Sequence, residues 1–294
     1  MSTRRHFFKQ ASLATTGLLF AKTDWLYKKQ EIGLQLYTLR NEVSKDLRST
    51  IARIAQIGFT DVETFGYKAG KYFDLSVKDF ASIFAQNKLT TPSGHYSLPD
   101  YLSKGDEDDL KRTVEDSRAM SHDFFTVPWL PENLRTGLDD YKRLADRLNK
   151  AGEVVNNAGM KLAYHNHDFE FKDWGDGKTG YNILLTQTDP KLVNFEMDIY
   201  WVSKAGVDPI KLIQANPGRI KMWHVKDMDN TAEKSFTEVG TGVIQYKEIF
   251  GYKKLSGMKH FFLEQDQISI DPYVSITKSL EYIKGNLLSI KDNS

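Results

Sequence analysis

From about residue 30 the chain alternates short apolar runs with longer stretches of helical periodicity. Eight runs read as strands: Ile32–Leu36, Asp61–Thr64, Leu89–His95, Phe124–Pro128, Lys161–His165, Val193–Asp198, Ile220–Val225 and His260–Glu264. Between and after them lie amphipathic segments, Leu47–Ile57, Val77–Gln86, Glu107–Ser121, Asp139–Asn157, Tyr181–Thr186, Pro209–Ala215, Tyr246–Leu255 and Pro272–Ile283. In the longest of these, Leu144, Leu148 and Val155 recur with helical spacing, which puts one apolar stripe toward a core, and Gly159 stops the run. Asp46 ahead of Leu47 and the pair Asp208-Pro209 are helix-opening signals. An aspartate accepts the free first-turn amides, and a proline just after it sacrifices no hydrogen bond. Gly58 is a matching stop.

Strand-then-helix units repeated eight times, with no long linker or low-complexity stretch, predict one α/β domain over residues 29–294, a closed (β/α)8 barrel. A doubly wound open sheet is the rival, but no Gly-x-Gly-x-x-Gly follows the first strand. In a parallel barrel the chemistry collects at strand C-termini.

Composition narrows the function. With 40 basic and 39 acidic side chains the net charge is +1, which supplies no broad cationic surface and argues against a nucleic-acid partner. The chain has no cysteine, so a metal would rest on His, Asp, Glu or backbone oxygen. Residues 1–28 carry Thr3-Arg4-Arg5-His6-Phe7-Phe8-Lys9 followed by the apolar run from Ala11 to Ala21. That pattern predicts a twin-arginine export signal and a periplasmic protein. The apolar run falls short of the roughly 20 residues a bilayer needs, so no stable membrane span is expected.

Four strand ends carry metal-capable or proton-carrying groups in one neighbourhood: Tyr164-His165-Asn166-His167-Asp168-Phe169-Glu170, Glu196-Met197-Asp198-Ile199-Tyr200-Trp201, Trp223-His224-Val225-Lys226-Asp227 and Leu263-Glu264-Gln265-Asp266. Strand three adds Ser93-Gly94-His95-Tyr96. A lone strand-end histidine is more often structural than a ligand; the convergence of several at one barrel mouth points to a divalent ion with open positions. His122 and His260 fall near strand beginnings, where a stabilising role is expected.

At these residues the sequence resembles the xylose isomerase-like superfamily of sugar phosphate isomerases and epimerases. That group includes inosose dehydratases and ketose 3-epimerases, and the similarity is strongest to its exported bacterial branch. Gly33-Leu34-Gln35-Leu36-Tyr37-Thr38-Leu39-Arg40, Ser93-Gly94-His95-Tyr96, Tyr164 through Phe171, His224-Val225-Lys226-Asp227-Met228 and Val239-Gly240-Thr241-Gly242 carry the resemblance, which spans residues 30–290. It implies a TIM barrel and one divalent metal ion (Mn, Co, Zn, Mg or Ni), held in the ketose epimerases by Glu, Asp, His and Glu of strands five to eight. Carried over, these are Asp198, His224 and Glu264, with His165 where the family has the strand-five Glu and His167 as its substitute. The departure argues against two-glutamate C3 epimerisation, because a metal-bound imidazole nitrogen is not also a base. His95, His167, Lys226 and Glu170 are then the candidate proton carriers and oxyanion partners, and Tyr37, Trp129 and Trp201 the candidate sugar-facing wall.

The expected activity is metal-dependent isomerisation, epimerisation, dehydration or 3-keto-glycoside elimination on a non-phosphorylated small-molecule carbohydrate. A carbohydrate-binding barrel without catalysis is the alternative. An endonuclease IV-like repair enzyme would need more ligands and a basic groove. Val239–Gly242 reads first as a turn and only second as an anion cradle, and a homo-oligomer stays open.

Overall fold

The computed structural model describes residues 31–293. The export signal expected over residues 1–28 lies outside them. Eight parallel strands close a barrel in chain order: β1 (Gly33–Gln35), β2 (Asp61–Thr64), β3 (Thr90–His95), β4 (Phe124–Val127), β5 (Lys161–His165), β6 (Val193–Asp198), β7 (Ile220–Val225) and β8 (His260–Leu263). β1 pairs with both β2 and β8, which completes the closure. The α/β barrel read from the sequence is the observed fold.

Side-chain caps set several of the observed bounds. The run Ile32–Leu36 gives up its last residue because the Gln35 carboxamide accepts the Tyr37 amide at 3.1 Å, which opens a 3-10 turn over Leu36–Leu39. Asp46 caps the helix Leu47–Ile57 through Ser49, and Gly58 ends it at φ +109°, a conformation that costs a β-carbon dearly. Asp208 caps Pro209–Ala215 as expected. The single helix expected over Tyr246–Leu255 is instead three short turns, Tyr246–Ile249, Phe250–Tyr252 and Lys253–Ser256. The break falls at Gly251, a weak helix former whose backbone carbonyl accepts the Asn293 amide. Three short helices escaped the periodicity: Arg40–Lys45, Pro99–Lys104 and Ile199–Lys204. So did a small sheet, Tyr67–Lys68, Lys71–Tyr72 and Leu75–Ser76, and a hairpin pairing Asp227–Met228 with Phe236–Thr237. Among the described residues no helix is long and apolar enough to cross a membrane.

One large apolar cluster holds Leu34, Val62, Phe125, Leu162, Phe195 and Trp223 with helix residues such as Ile51, Leu148 and Ile283. A separate small cluster joins Phe124, Ala163, Met222 and Phe262. Side chains two apart on a strand share a face. That spacing takes β5 from Ala163 to His165, β7 from Met222 to His224, and the end of β8 from Phe262 to Glu264. The apolar cluster therefore floors a polar layer, and the His224 ring lies 6.1 Å from that of Phe262.

Candidate functional site

The polar layer begins with two carboxylates, Glu63 and Glu196, both at zero exposure. Register places Glu63 beside Gln35 of β1 and Ser93 of β3, and both donate to it, Gln35 Nε2 at 2.7 Å and Ser93 Oγ at 2.6 Å. Its Oε2 also lies 2.6 Å from His224 Nε2 and 3.2 Å from His95 Nε2. Glu196 is in register with His165. Its Oε2 lies 3.0 Å from His95 Nε2, 3.0 Å from His165 Nδ1 and 3.2 Å from His224 Nε2.

Burial would raise both carboxyls. His95 and His224 nonetheless hold Glu63 well below its usual range, and His224 and His165 bring Glu196 down to about 2. His95 is correspondingly pushed up to about 9, against its own burial, by Glu63 and Glu196. Burial and the neighbouring His224 hold His165 well below the ordinary imidazole value.

Two residues further along β6, on the same face as Glu196, stands Asp198, in register with His224. Glu264 Oε2 is 2.6 Å from His224 Nδ1, so the two nitrogens of this one ring face two different carboxylate groups. Lys226 Nζ sits 2.8 Å from Asp198 Oδ2, 2.6 Å from Glu264 Oε2 and 3.2 Å from Asp266 Oδ1. His165 Nε2 stands 3.7 Å from Asp198 Oδ2. Burial works against the Lys226 ammonium, yet Asp198, Asp266 and Glu264 hold its pKa well above the usual lysine value. Burial likewise opposes the His224 cation, and Glu196, Glu264 and Glu63 outweigh it. Ligand atoms of Asp198, His224 and Glu264 all lie within 4.8 Å of one another, and so do those of His95, His165, Glu196 and His224.

Above this layer opens a cavity of about 800 Å³. Tyr37, Trp129 and Trp201 line it, together with His95, His165, His167, Lys226 and Glu264. His167 stands in an aromatic box, stacked on Phe169 at 5.4 Å, with the Trp129 ring edge-on at 4.8 Å and Trp201 at 5.6 Å. Burial, then the nearby Lys226 charge, lower it to about 3, so it is a neutral imidazole at physiological pH. Two arginines stiffen the wall: Arg135 lies over Phe169 and Trp129, and Arg40 over Tyr37.

The structure thus brings together ten of the sequence-predicted residues, Asp198 and His224 deep and the other eight along the cavity. Glu170 stands apart. It is fully buried off the cavity, accepting the Tyr164 hydroxyl at 2.7 Å and the His167 amide at 2.8 Å, and burial raises it to about 7. It props the His167 backbone. Sequence reasoning gave no role to Glu63 or Glu196; the available signal was the two-residue spacing of Glu196 from Asp198 at the end of β6 and the place of Glu63 one residue before the end of β2. It also left Gln35, Asp266, Arg40 and Arg135 without roles. The Val239–Gly242 segment is a turn, with Gly240 and Gly242 amides donating to Asp227 Oδ2 at 2.9 and 3.1 Å.

A family model for the xylose isomerase-like TIM barrel matches residues 51–270. The chain belongs to that family. Among curated relatives, an inosose dehydratase of Clostridium beijerinckii is 30% identical over 168 residues, covering 50% of this chain and 54% of that protein. The chain spans about half the length of the curated relatives it matches. A sugar phosphate isomerase/epimerase from Parabacteroides distasonis superposes with a TM-score of 0.77 at 26% identity, over 86% of this chain and 97% of that one. The IOLI protein, solved with a bound zinc atom, shares the fold at a TM-score of 0.69 and 14% identity, over 88% of this chain and 99% of that one.

Proposed function

We propose that this chain is a divalent-metal-dependent enzyme acting on carbon beside a ketone in a non-phosphorylated sugar or keto-glycoside, as an isomerase, epimerase, dehydratase or 3-keto-glycoside lyase. The observation that carries the proposal is the convergence of Asp198, His224 and Glu264 ligand atoms within 4.8 Å under an aromatic-walled cavity. One imidazole nitrogen and two carboxylate oxygens, buried together, suit a borderline or hard divalent cation. His165, 3.7 Å from Asp198, completes the proposed set with Asp198, His224 and Glu264. Bound there, the ion would supply Lewis-acid polarisation of a carbonyl and its neighbouring hydroxyl.

The chain's own groups do the rest. The neutral His167 imidazole faces the cavity and can accept a hydrogen bond from a substrate hydroxyl; lowered to about 3, it is too weak a base to take a carbon-bound proton by itself. The Lys226 ammonium stands where it can face the enediolate oxygen left when that proton departs. Glu170 acts through the His167 backbone it holds. With histidines and no glutamate at the end of β5, elimination or isomerisation fits better than proton exchange between two carboxylates on opposite sugar faces.

A cavity of about 800 Å³ lies in the upper part of the usual small-molecule range, about 300–1,000 Å³, which favours a glycoside over a single ring. Asp227 already takes the Gly240 and Gly242 amides of the Val239–Gly242 turn, which supports a substrate without phosphate. Export by residues 1–28 belongs to the same proposal.

Incubation of metal-stripped and metal-reloaded protein with keto-glycosides and free ketoses in D2O tests it. Deuterium is expected at a carbon beside the ketone, or an elimination product, only in the reloaded sample. Tight sugar binding with no exchange across the panel would replace the enzyme with a carbohydrate-binding barrel.

A further inference from the structure

The inner half of the polar layer gathers ligand atoms of His95, His165, Glu196 and His224 within 4.8 Å of one another. Three ring nitrogens, from His95, His165 and His224, lie 3.0–3.2 Å from a single oxygen, Glu196 Oε2. The other oxygen of the same buried carboxylate, Oε1, has no hydrogen-bond partner. His95 and His165 hydrogen-bond Oε2, while the His224 nitrogen lies closer still to Glu63 Oε2, at 2.6 Å. Ligands of a tetrahedral ion at about 2.0–2.1 Å lie roughly 3.3 Å apart, close to the spacings seen here.

The far nitrogen of His224 is held in the way metal-binding histidines are held, by a carboxylate acceptor. Glu264 lies 2.6 Å from His224 Nδ1; Asp198 stands 3.7 Å from His165 Nε2, and the Gln35 amide nitrogen 3.4 Å from His95 Nδ1. Glu63, fixed by Gln35 and Ser93, backs the group with a second negative charge. The outer carboxylates Asp198 and Glu264 already face the Lys226 ammonium.

We infer that His95 Nε2, His165 Nδ1, His224 Nε2 and Glu196 Oε2 form a second divalent-cation seat, one layer deeper than the His165–Asp198–His224–Glu264 set. Three imidazoles and one carboxylate select zinc, cobalt or nickel over magnesium. The inference rests on reading the barrel mouth as metal-binding. The outer set would use His165 and His224 through their opposite ring nitrogens, and because a neutral imidazole offers one lone pair, the two seats are alternatives filled one at a time.

The test uses the full chain, stripped with a chelator and reloaded with zinc. Metal content per chain is measured in wild type, His95→Asn and Asp198→Asn, and crystals of the wild type are recorded at the zinc edge. The expected result is one zinc equivalent lost in H95N and kept in D198N, with an anomalous peak in coordinating reach of the His95, His165 and His224 rings. An H95N protein with full zinc, a D198N protein without it, and no inner peak would overturn the inner seat and leave the outer set standing. An inner peak alone would uphold this inference and leave the outer set unfilled by zinc. A wild type that takes up no zinc would overturn both. The wild-type map decides the inner seat even where a variant fails to fold.

Discussion

The two ends of this barrel use the same residue types and arrive at different physics. At the base, His260 lies 4.0 Å from Asp61 and 3.9 Å from Asp123, and the Asp123 side chain is 73% exposed. At the mouth, His224 lies 2.6 Å from each of Glu63 and Glu264, with the histidine and Glu63 at zero exposure. At 3.9–4.0 Å the first arrangement lies outside hydrogen-bond reach and its Asp123 arm is open to water, so its ion pairs are weakly coupled. Exclusion of water makes the second a set of mutually dependent charges, in which each member is costly without its partners. Residue identity is therefore a poor guide to a site by itself; depth and convergence decide.

The largest effect should come from removing one member at each end. His224→Ala is expected to lower unfolding free energy by about 3–5 kcal/mol, since it strands buried carboxylates, whereas His260→Ala should cost under about 1 kcal/mol. Urea denaturation of the two variants gives the comparison directly, and equal losses would erase the distinction between the ends.

A second effect sharpens the role of desolvation within the mouth. Burial raises Glu170 from 4.5 to about 7, so the folded chain holds this proton longer than the unfolded chain does. Its favourable contribution is complete below pH 4.5 and disappears as pH rises through about 7, a change on the order of 3 kcal/mol at most. Glu170→Gln keeps an acceptor for the His167 amide and should flatten the difference in melting temperature between pH 4.5 and pH 7.5. An unchanged pH slope in E170Q would mean that Glu170 is not the titrating group.

The smallest effect concerns the wall. Trp129→Ala should raise KM for a keto-glycoside about tenfold, or about 1.4 kcal/mol, with kcat changed less than about threefold. A fall in kcat with KM unchanged would move Trp129 from the wall to the chemistry.

Much of this was legible in the sequence because barrels are periodic. Alternating runs announced all eight strands, and strand-end histidines at 95, 165, 167 and 224 announced the mouth. Glu196 and Glu63 stayed unassigned because each sits inside a strand among residues that read as core, Phe195 and Met197 for one, Val62 and Thr64 for the other. Only closure of the barrel shows that they point at imidazoles from strands far away in sequence. Glu170 misled for the opposite reason: a strand-end carboxylate next to His167 reads as a proton carrier, and nothing in the one-dimensional pattern says that Tyr164 and a backbone amide already claim it.

Asp227 has an engineering consequence. Its carboxylate gathers the amides of Met228, Gly240, Gly242 and Ile244 and so ties both ends of the excursion after β7 to one post. The stretch from Asp229 to Lys234 hangs outside that tie, while Phe236 and the Lys234 carbonyl touch Trp201 and Tyr200 beside the cavity. Grafted loops of new length and chemistry inserted near Asn230 would reach over the rim without loosening the post. The barrel thus offers a ready graft point for retargeting what enters it.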